Sequence, residues 1–203
     1  MIEHFKTIKE LYKKIDIHAH KNISFHHHLR NGDYVLNTVL NHYIKENVQG
    51  IHLFPSAIFP SYTTILDLIK NNQIQDITTN YMNGPVAQYI SEHGLPGQLK
   101  MQTHGGRARA IIEGLSIIDI AYIAVPYCDT QGNAIGYKGK NKCGSLGYAI
   151  PDSEFAKIVV LVTDTVVEDT IESPEIYGEN VDYVLTVDAI GDRKGIVSGT
   201  TQI

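Results

Sequence analysis

Apolar residues along the chain follow two alternating patterns. The first is the short, nearly continuous run: IDIAYIAV at 118–125, KIVVLVT at 157–163 and VDYVLTV at 181–187. A strand covered on both faces of a parallel sheet needs this composition. Shorter runs at 22–26, 50–54, 75–80 and 99–103 read as further strands. The second pattern has helical spacing. Across residues 33–47, Val35, Leu36, Val39, Leu40, Tyr43 and Ile44 fall on one face, and Asp33 is placed to cap the start. Residues 61–71 and 83–94 read as helices too, the latter with Pro85 in its first turn and Gly94 at its stop. A further helix over 104–114 opens on two glycines. Strands alternating with helices predict an α/β fold, a mostly parallel sheet flanked by helices. In such sheets ligands bind beyond the carboxyl ends of the strands.

One region breaks the alternation. Residues 128–149 carry Gly132, Gly136, Gly139, Gly144 and Gly147 without periodicity, which predicts an ordered functional loop. The 203 residues, 43% of them apolar, suffice for one sizeable domain. A net charge of −5 gives no broad footprint for nucleic acid or an anionic membrane. No stretch approaches the roughly 20 apolar residues of a membrane span. The charges scattered through MIEHFKTIKELYKKID do not read as a secretory signal. Cys128 and Cys143 form no CxxC pair and read as reduced thiols of a cytoplasmic protein.

Three segments carry candidate chemistry. In Ser24-Phe25-His26-His27-His28-Leu29-Arg30, strand alternation puts His26 and His28 on one side and His27 on the other. Imidazoles, Arg30 and the following helix N-terminus suit an anionic ligand; a histidine-rich surface turn is the plain alternative. In His104-Gly105-Gly106-Arg107-Ala108-Arg109, the glycines allow close approach to the backbone and an arginine fork matches a carboxylate. Arg107 and Arg109 diverge on a helix, so one ligand does not engage both. The third segment, Asp16-Ile17-His18-Ala19-His20, has the spacing of a metal site in amidohydrolases if it lies on a strand. Such an enzyme needs more ligands on later strands, whereas the later histidines are His42, His52, His93 and His104. Ser145 lacks the strand-to-turn context of a nucleophile elbow. Glu113, Glu154, Glu168 and Glu172 read as surface acids.

Several stretches together resemble the citrate lyase alpha chain (citrate CoA-transferase) family: ISFHHHLRNGDYVLN (23–37), NGPVAQYI (83–90), THGGRARAIIEGLSIIDIAYIAVPYCDTQGNAIGYKG (103–139), CGSLGYAIPDSEFAK (143–157) and VDYVLTVDAIGDRKGIVSG (181–199). The resemblance implies a CoA-transferase-like α/β domain, the first of two similar domains. Residues 1–21 would be a lead-in extension and 22–203 the first domain. It implies an acyl exchange in which acetyl carrier plus citrate gives citryl carrier plus acetate. CoA, or the CoA-derived arm of the acyl carrier protein, is then a substrate and no metal is required. The implied partners are the beta chain and the carrier gamma chain, in a cytoplasmic, homo-oligomeric assembly without nucleic acid or membrane. An enzyme carboxylate attacks the thioester. The resemblance places that glutamate beyond residue 203, in a second domain this chain does not cover. Ser24, His26, His28, Arg30, His104, Gly105, Gly106, Arg107, Arg109, Gly144 and Ser145 are the substrate-binding candidates. A metal-dependent amidohydrolase-like enzyme and a small-metabolite sensor domain on the same scaffold are the alternatives.

Overall fold

The computed structural model describes residues 2–196. Its main sheet has eight strands: β1 (Glu3–Phe5), β2 (Asn22–Phe25), β3 (Ile51–Pro55), β4 (Ile74–Thr79), β5 (Leu99–Met101), β6 (Ile120–Val125), β9 (Ile158–Thr163) and β11 (Tyr183–Thr186). Their order is β1-β11-β9-β6-β2-β3-β4-β5, and every pair is parallel. A small second sheet, ordered β10-β7-β8, is built from β7 (Tyr127–Asp129), β8 (Ala134–Ile135) and β10 (Val166–Val167). The helices are α1 (Ile8–Leu11), α2 (Val35–Lys45), α3 (Thr63–Lys70), α4 (Gly84–His93), α5 (His104–Ile112) and α6 (Ile150–Phe155). The expected α/β class and mostly parallel sheet are observed. The residues read as a lead-in add an edge strand to the same sheet, with Glu3 in register with Tyr183.

The two faces of the sheet differ. On one, Ile23, Phe25, Leu53, Ile77, Tyr122 and Val160 pack with Leu36, Leu40, Ile65, Leu68 and Ile90 from α2, α3 and α4. On the other, Ala121, Ile123, Val125, Val159, Leu161 and Val184 pack with Ile111 of α5 and Ala149 before α6. That second face is apolar only under β6, β9 and β11. Across β2 to β5 the same face carries Ser24, His52, Asp76, Thr78 and Lys100, with Phe54 the apolar exception. Strand alternation forces this division: the residues between the core-facing isoleucines and leucines must point the other way.

Asp33 does cap α2. Its Oδ1 accepts from the Val35 amide at 2.6 Å and the Leu36 amide at 3.4 Å, while Oδ2 accepts from the Tyr62 hydroxyl at 3.1 Å. Burial outweighs these bonds and pushes its carboxyl up to about 7. The glycine-rich interruption is ordered, as expected. The Glu175 carboxylate accepts from the amides of Gly136 at 2.8 Å and Leu146 at 3.1 Å, which ties two parts of the loop together. Gly136 must be glycine, since a Cβ there would collide with the Gly144 carbonyl. Both cysteines are free, and burial pushes each thiol up to about 12, so neither is a ready nucleophile. Among the described residues no helix is long and apolar enough to cross a membrane.

Candidate functional site

The carboxyl ends of β2 to β5 meet the first turn of α5 and the segment leading into α6. Three rings gather there. His27 begins the short 3-10 helix after β2, His104 opens α5, and Tyr148 lies in the 3-10 turn Gly147–Ala149. Ring centroids are 4.8 Å apart for His27 and Tyr148, 4.9 Å for His104 and Tyr148, and 5.9 Å for His27 and His104. The Ser56 hydroxyl fixes His27, accepting from its amide at 3.0 Å and meeting ring Nδ1 at 2.6 Å. Burial, then the neighbouring His26 and His104, lower His27 to about 4, so it is a neutral imidazole at pH 7.

Beneath the rings lies a buried charged group. Arg107 donates to both carboxylate oxygens of Asp152, at 2.7 and 2.8 Å, with both side chains almost wholly enclosed. Its second nitrogen also reaches the Phe54 carbonyl at 3.4 Å. His26 Nε2 lies 3.2 Å from Asp152 Oδ2. Burial alone would raise the Asp152 carboxyl, but the Arg107 charge and the His26 contact hold it far below the usual carboxylate range. The bidentate fork pins α5 to α6 and so fixes where the first turn of α5 points.

Most of the anticipated substrate-binding side chains find protein partners. His26 and His28 do share a side, their rings stacked at 6.2 Å. His28 donates from Nε2 to the Ala124 carbonyl at 2.6 Å, and burial lowers it to about 3, so it offers no positive charge. Arg107 is occupied by Asp152. Arg109 diverges as its spacing predicted and pairs with Glu113 at 2.7 Å on the exposed side of α5. Arg30 is exposed and held at φ 51, in the left-handed region that a non-glycine residue occupies only under strain. Gly105 and Gly106 lie in the first turn of α5. The Gly106 amide is taken by the capping Thr103 hydroxyl at 3.0 Å, while a Cβ on Gly105 would meet nothing within 4 Å. The amides of His104 and Gly105, in the first turn of α5, precede the reach of any intrahelical carbonyl. Gly144 is exposed at φ 89, and Ser145 accepts from the Gly147 amide at 3.2 Å. Ser24 is buried, its hydroxyl without a partner among the described residues.

The Asp16-x-His-x-His segment lies before β2. It is a turn rather than a strand: Asp16 Oδ1 accepts from the amides of His18 at 2.9 Å and Ala19 at 3.2 Å. The carboxylate that a metal-site reading needs is spent on this turn. Sequence reading also passed over His27, Tyr148 and Asp152. Only the strand-end position of His27 hinted at a role. Asp152 and Tyr148 lie far along the chain from the groups they meet.

The family model for the citrate lyase alpha subunit matches residues 3–203. The chain belongs to the citrate lyase alpha subunit family. It is 37% identical over 197 residues to the citrate lyase alpha chain of Haemophilus influenzae, covering 97% of this chain and 39% of that one. It superimposes with a TM-score of 0.93, at 40% identity, on the alpha subunit of citrate lyase from Streptococcus mutans, solved in complex with citrate. That match covers all of this chain and 40% of the other. The chain thus spans about two fifths of the length of these family members. An acyl-CoA transferase from Escherichia coli O157:H7 shares the fold, with a TM-score of 0.69 at 12% identity.

Proposed function

We propose that this chain supplies the substrate-binding part of a citrate CoA-transferase, which exchanges acetate for citrate on the thioester of an acyl carrier. The observation that carries this reading is family membership along residues 3–203, together with 40% identity to a protein solved with citrate. Support also comes from the carboxyl edge of the sheet, where a neutral imidazole, an exposed histidine, a tyrosine and two helix-start amides converge. In the exchange, an enzyme carboxylate attacks the acetyl thioester and the thiolate leaves. The thiolate attacks the enzyme carbonyl of the resulting anhydride and releases acetate. A citrate carboxylate then displaces the thiolate from the enzyme thioester, and the thiolate attacks the citryl carbonyl, giving the citryl thioester and restoring the enzyme carboxylate. Each oxyanion needs positioned N–H donors, a role the His104 and Gly105 amides fit. The attacking carboxylate belongs, in this reading, to sequence beyond residue 203. The beta chain and the carrier gamma chain are the proposed partners.

Thioester exchange tests this directly, with acetyl-CoA and citrate supplied to residues 1–203 alone and to a form extended to the length of its relatives. Turnover only in the extended form is expected. Turnover by residues 1–203 would move the carboxylate into this chain, with Glu113 and Glu154 the first to replace. No exchange in the extended form, assembled with its partners, would refute the transferase reading.

A further inference from the structure

One register row crosses four strands just past their carboxyl ends. Phe25 pairs with Pro55, Leu53 with Ile77 and Thr79 with Met101. Continued by one to three residues, these registers align His26, Ser56, Asn80 and Gln102. Hydrogen bonds carry the ladder on from β2 to β3 and from β4 to β5, Ser56 N to Phe25 O at 3.0 Å and Gln102 N to Thr79 O at 2.9 Å, while Asn80 N reaches Ser56 O at 3.3 Å, one residue off the β3–β4 register. Alternation carried on from the strands directs all four side chains to the face that carries α5 and α6, opposite the core of Phe25, Leu53 and Ile77, and His26 meets Asp152 of α6 there.

This row is polar where the same face under β6 and β9 is apolar; the Ser56 hydroxyl is taken by His27, but other polar atoms of the row are unsatisfied. Both side-chain atoms of Asn80, the side-chain oxygen of Gln102 and Nδ1 of His26 are closed off from solvent without a hydrogen-bond partner among the described residues, while His26 Nε2 faces Asp152 at 3.2 Å. His26 itself is 3% exposed. Buried polar groups are nearly always paired, with protein or with ordered water, so these orphans mark polar positions that the chain itself does not fill. Asn80 states what a partner there must bring. Whichever way its amide is turned, it presents one donor and one acceptor, and both are free. A simple carboxylate can only accept. A ligand satisfying Asn80 must accept and donate at adjacent atoms, as a carboxylate and a hydroxyl on one carbon do.

We propose that Asn80 and Gln102 form an amide clamp for the α-hydroxy-carboxylate unit of the substrate, with His26 at the same crest. The clamp reads the hydroxyl as well as the charge. This deepens the citrate reading above and rests on it.

Calorimetric titration of the chain with citrate and with tricarballylate, which lacks the hydroxyl, tests the clamp. The wild type is expected to favour citrate by about tenfold or more, because the analogue leaves a buried amide unpaired. Asn80→Leu and Gln102→Met are expected to lose that preference and to bind citrate at least about tenfold more weakly. Because they remove unpaired polar groups, they keep or raise the melting temperature. A variant that melts well below wild type would mean the amide holds a structural bond, overturning the clamp. Citrate binding that is unchanged in both variants would overturn the clamp and leave the citrate reading standing. Wild-type chain that binds neither acid would bring down both. Variants that lose pantetheine binding while keeping citrate would hand the row to the thioester arm and overturn the assignment.

Discussion

Removing the Asp152 carboxylate, by Asp152→Ala, leaves the Arg107 guanidinium enclosed without its counter-charge. The Arg107 side chain is 3% exposed and that of Asp152 0%, so water cannot take over either bond. Two charge-assisted bonds at 2.7 and 2.8 Å are lost together. Breaking a buried pair from one side costs about 3–5 kcal/mol. In a domain of this size each kcal/mol lowers Tm by about 2–4 °C, so a fall of roughly 6–20 °C is expected. Urea unfolding followed by circular dichroism gives the free energy directly. The double replacement Arg107→Met with Asp152→Leu removes both charges and should recover most of the loss, since apolar replacement of a buried pair is often neutral. A loss below about 1 kcal/mol in Asp152→Ala with native ellipticity, or a double variant no better than the single, would refute the claim that this pair anchors α5 to α6. Acid adds a second readout. The folded Asp152 carboxyl sits below its ordinary value of 3.8, so its contribution is complete above that pH and drains as pH falls beneath it. Asp152→Ala should therefore flatten the acid limb of the stability profile below about pH 4.

Asp33 is expected to behave in the opposite sense. Its folded carboxyl is raised from 3.8 to about 7, so the folded state holds the extra proton between these values and stability declines as pH rises through 7. Asp33→Asn keeps the cap and should remove that decline; a profile between pH 4 and 8 matching wild type would contradict it. Thr103→Ala deletes the side-chain cap of α5 and should cost about 0.5–2 kcal/mol in urea unfolding, whereas no change would show the first turn to be held by Arg107 alone. Gly105→Ala meets no neighbour and replaces a poor helix former, so stability should hold or rise by up to about 1 kcal/mol. The same variant should weaken citrate binding if ligand approaches the bare backbone there, and undiminished binding would remove that turn from the site.

Much of the fold is legible in local sequence. Helical spacing over 33–47 and continuous apolar runs at 118–125 and 157–163 each report one residue's relation to its near neighbours, which is what secondary structure depends on. Asp33 could be read as a cap because its partners, Val35 and Leu36, are two and three residues away. Family membership was legible for a different reason, the specific order of HGGRARA, PYCDTQGNAIGY and CGSLGYA.

The site was less legible because its pairings run across strand order rather than along the chain. Arg107 reads as an exposed anion binder until α6 brings Asp152 to it. His27, set aside by strand alternation, joins His104 and Tyr148 only because the chain curls into a 3-10 turn after β2. Asn80 and Gln102 fall in segments read as strands and carry no visible chemistry until parallel pairing brings them near His26. Sequence alone determined most of the strands and helices of the main layer, since periodicity is a nearest-neighbour property, but not β1, which lies in the segment read as a lead-in. Tertiary structure alone decided which polar side chains are spent on one another and which are left free for a ligand, because register and burial depend on contacts between residues far apart in the chain.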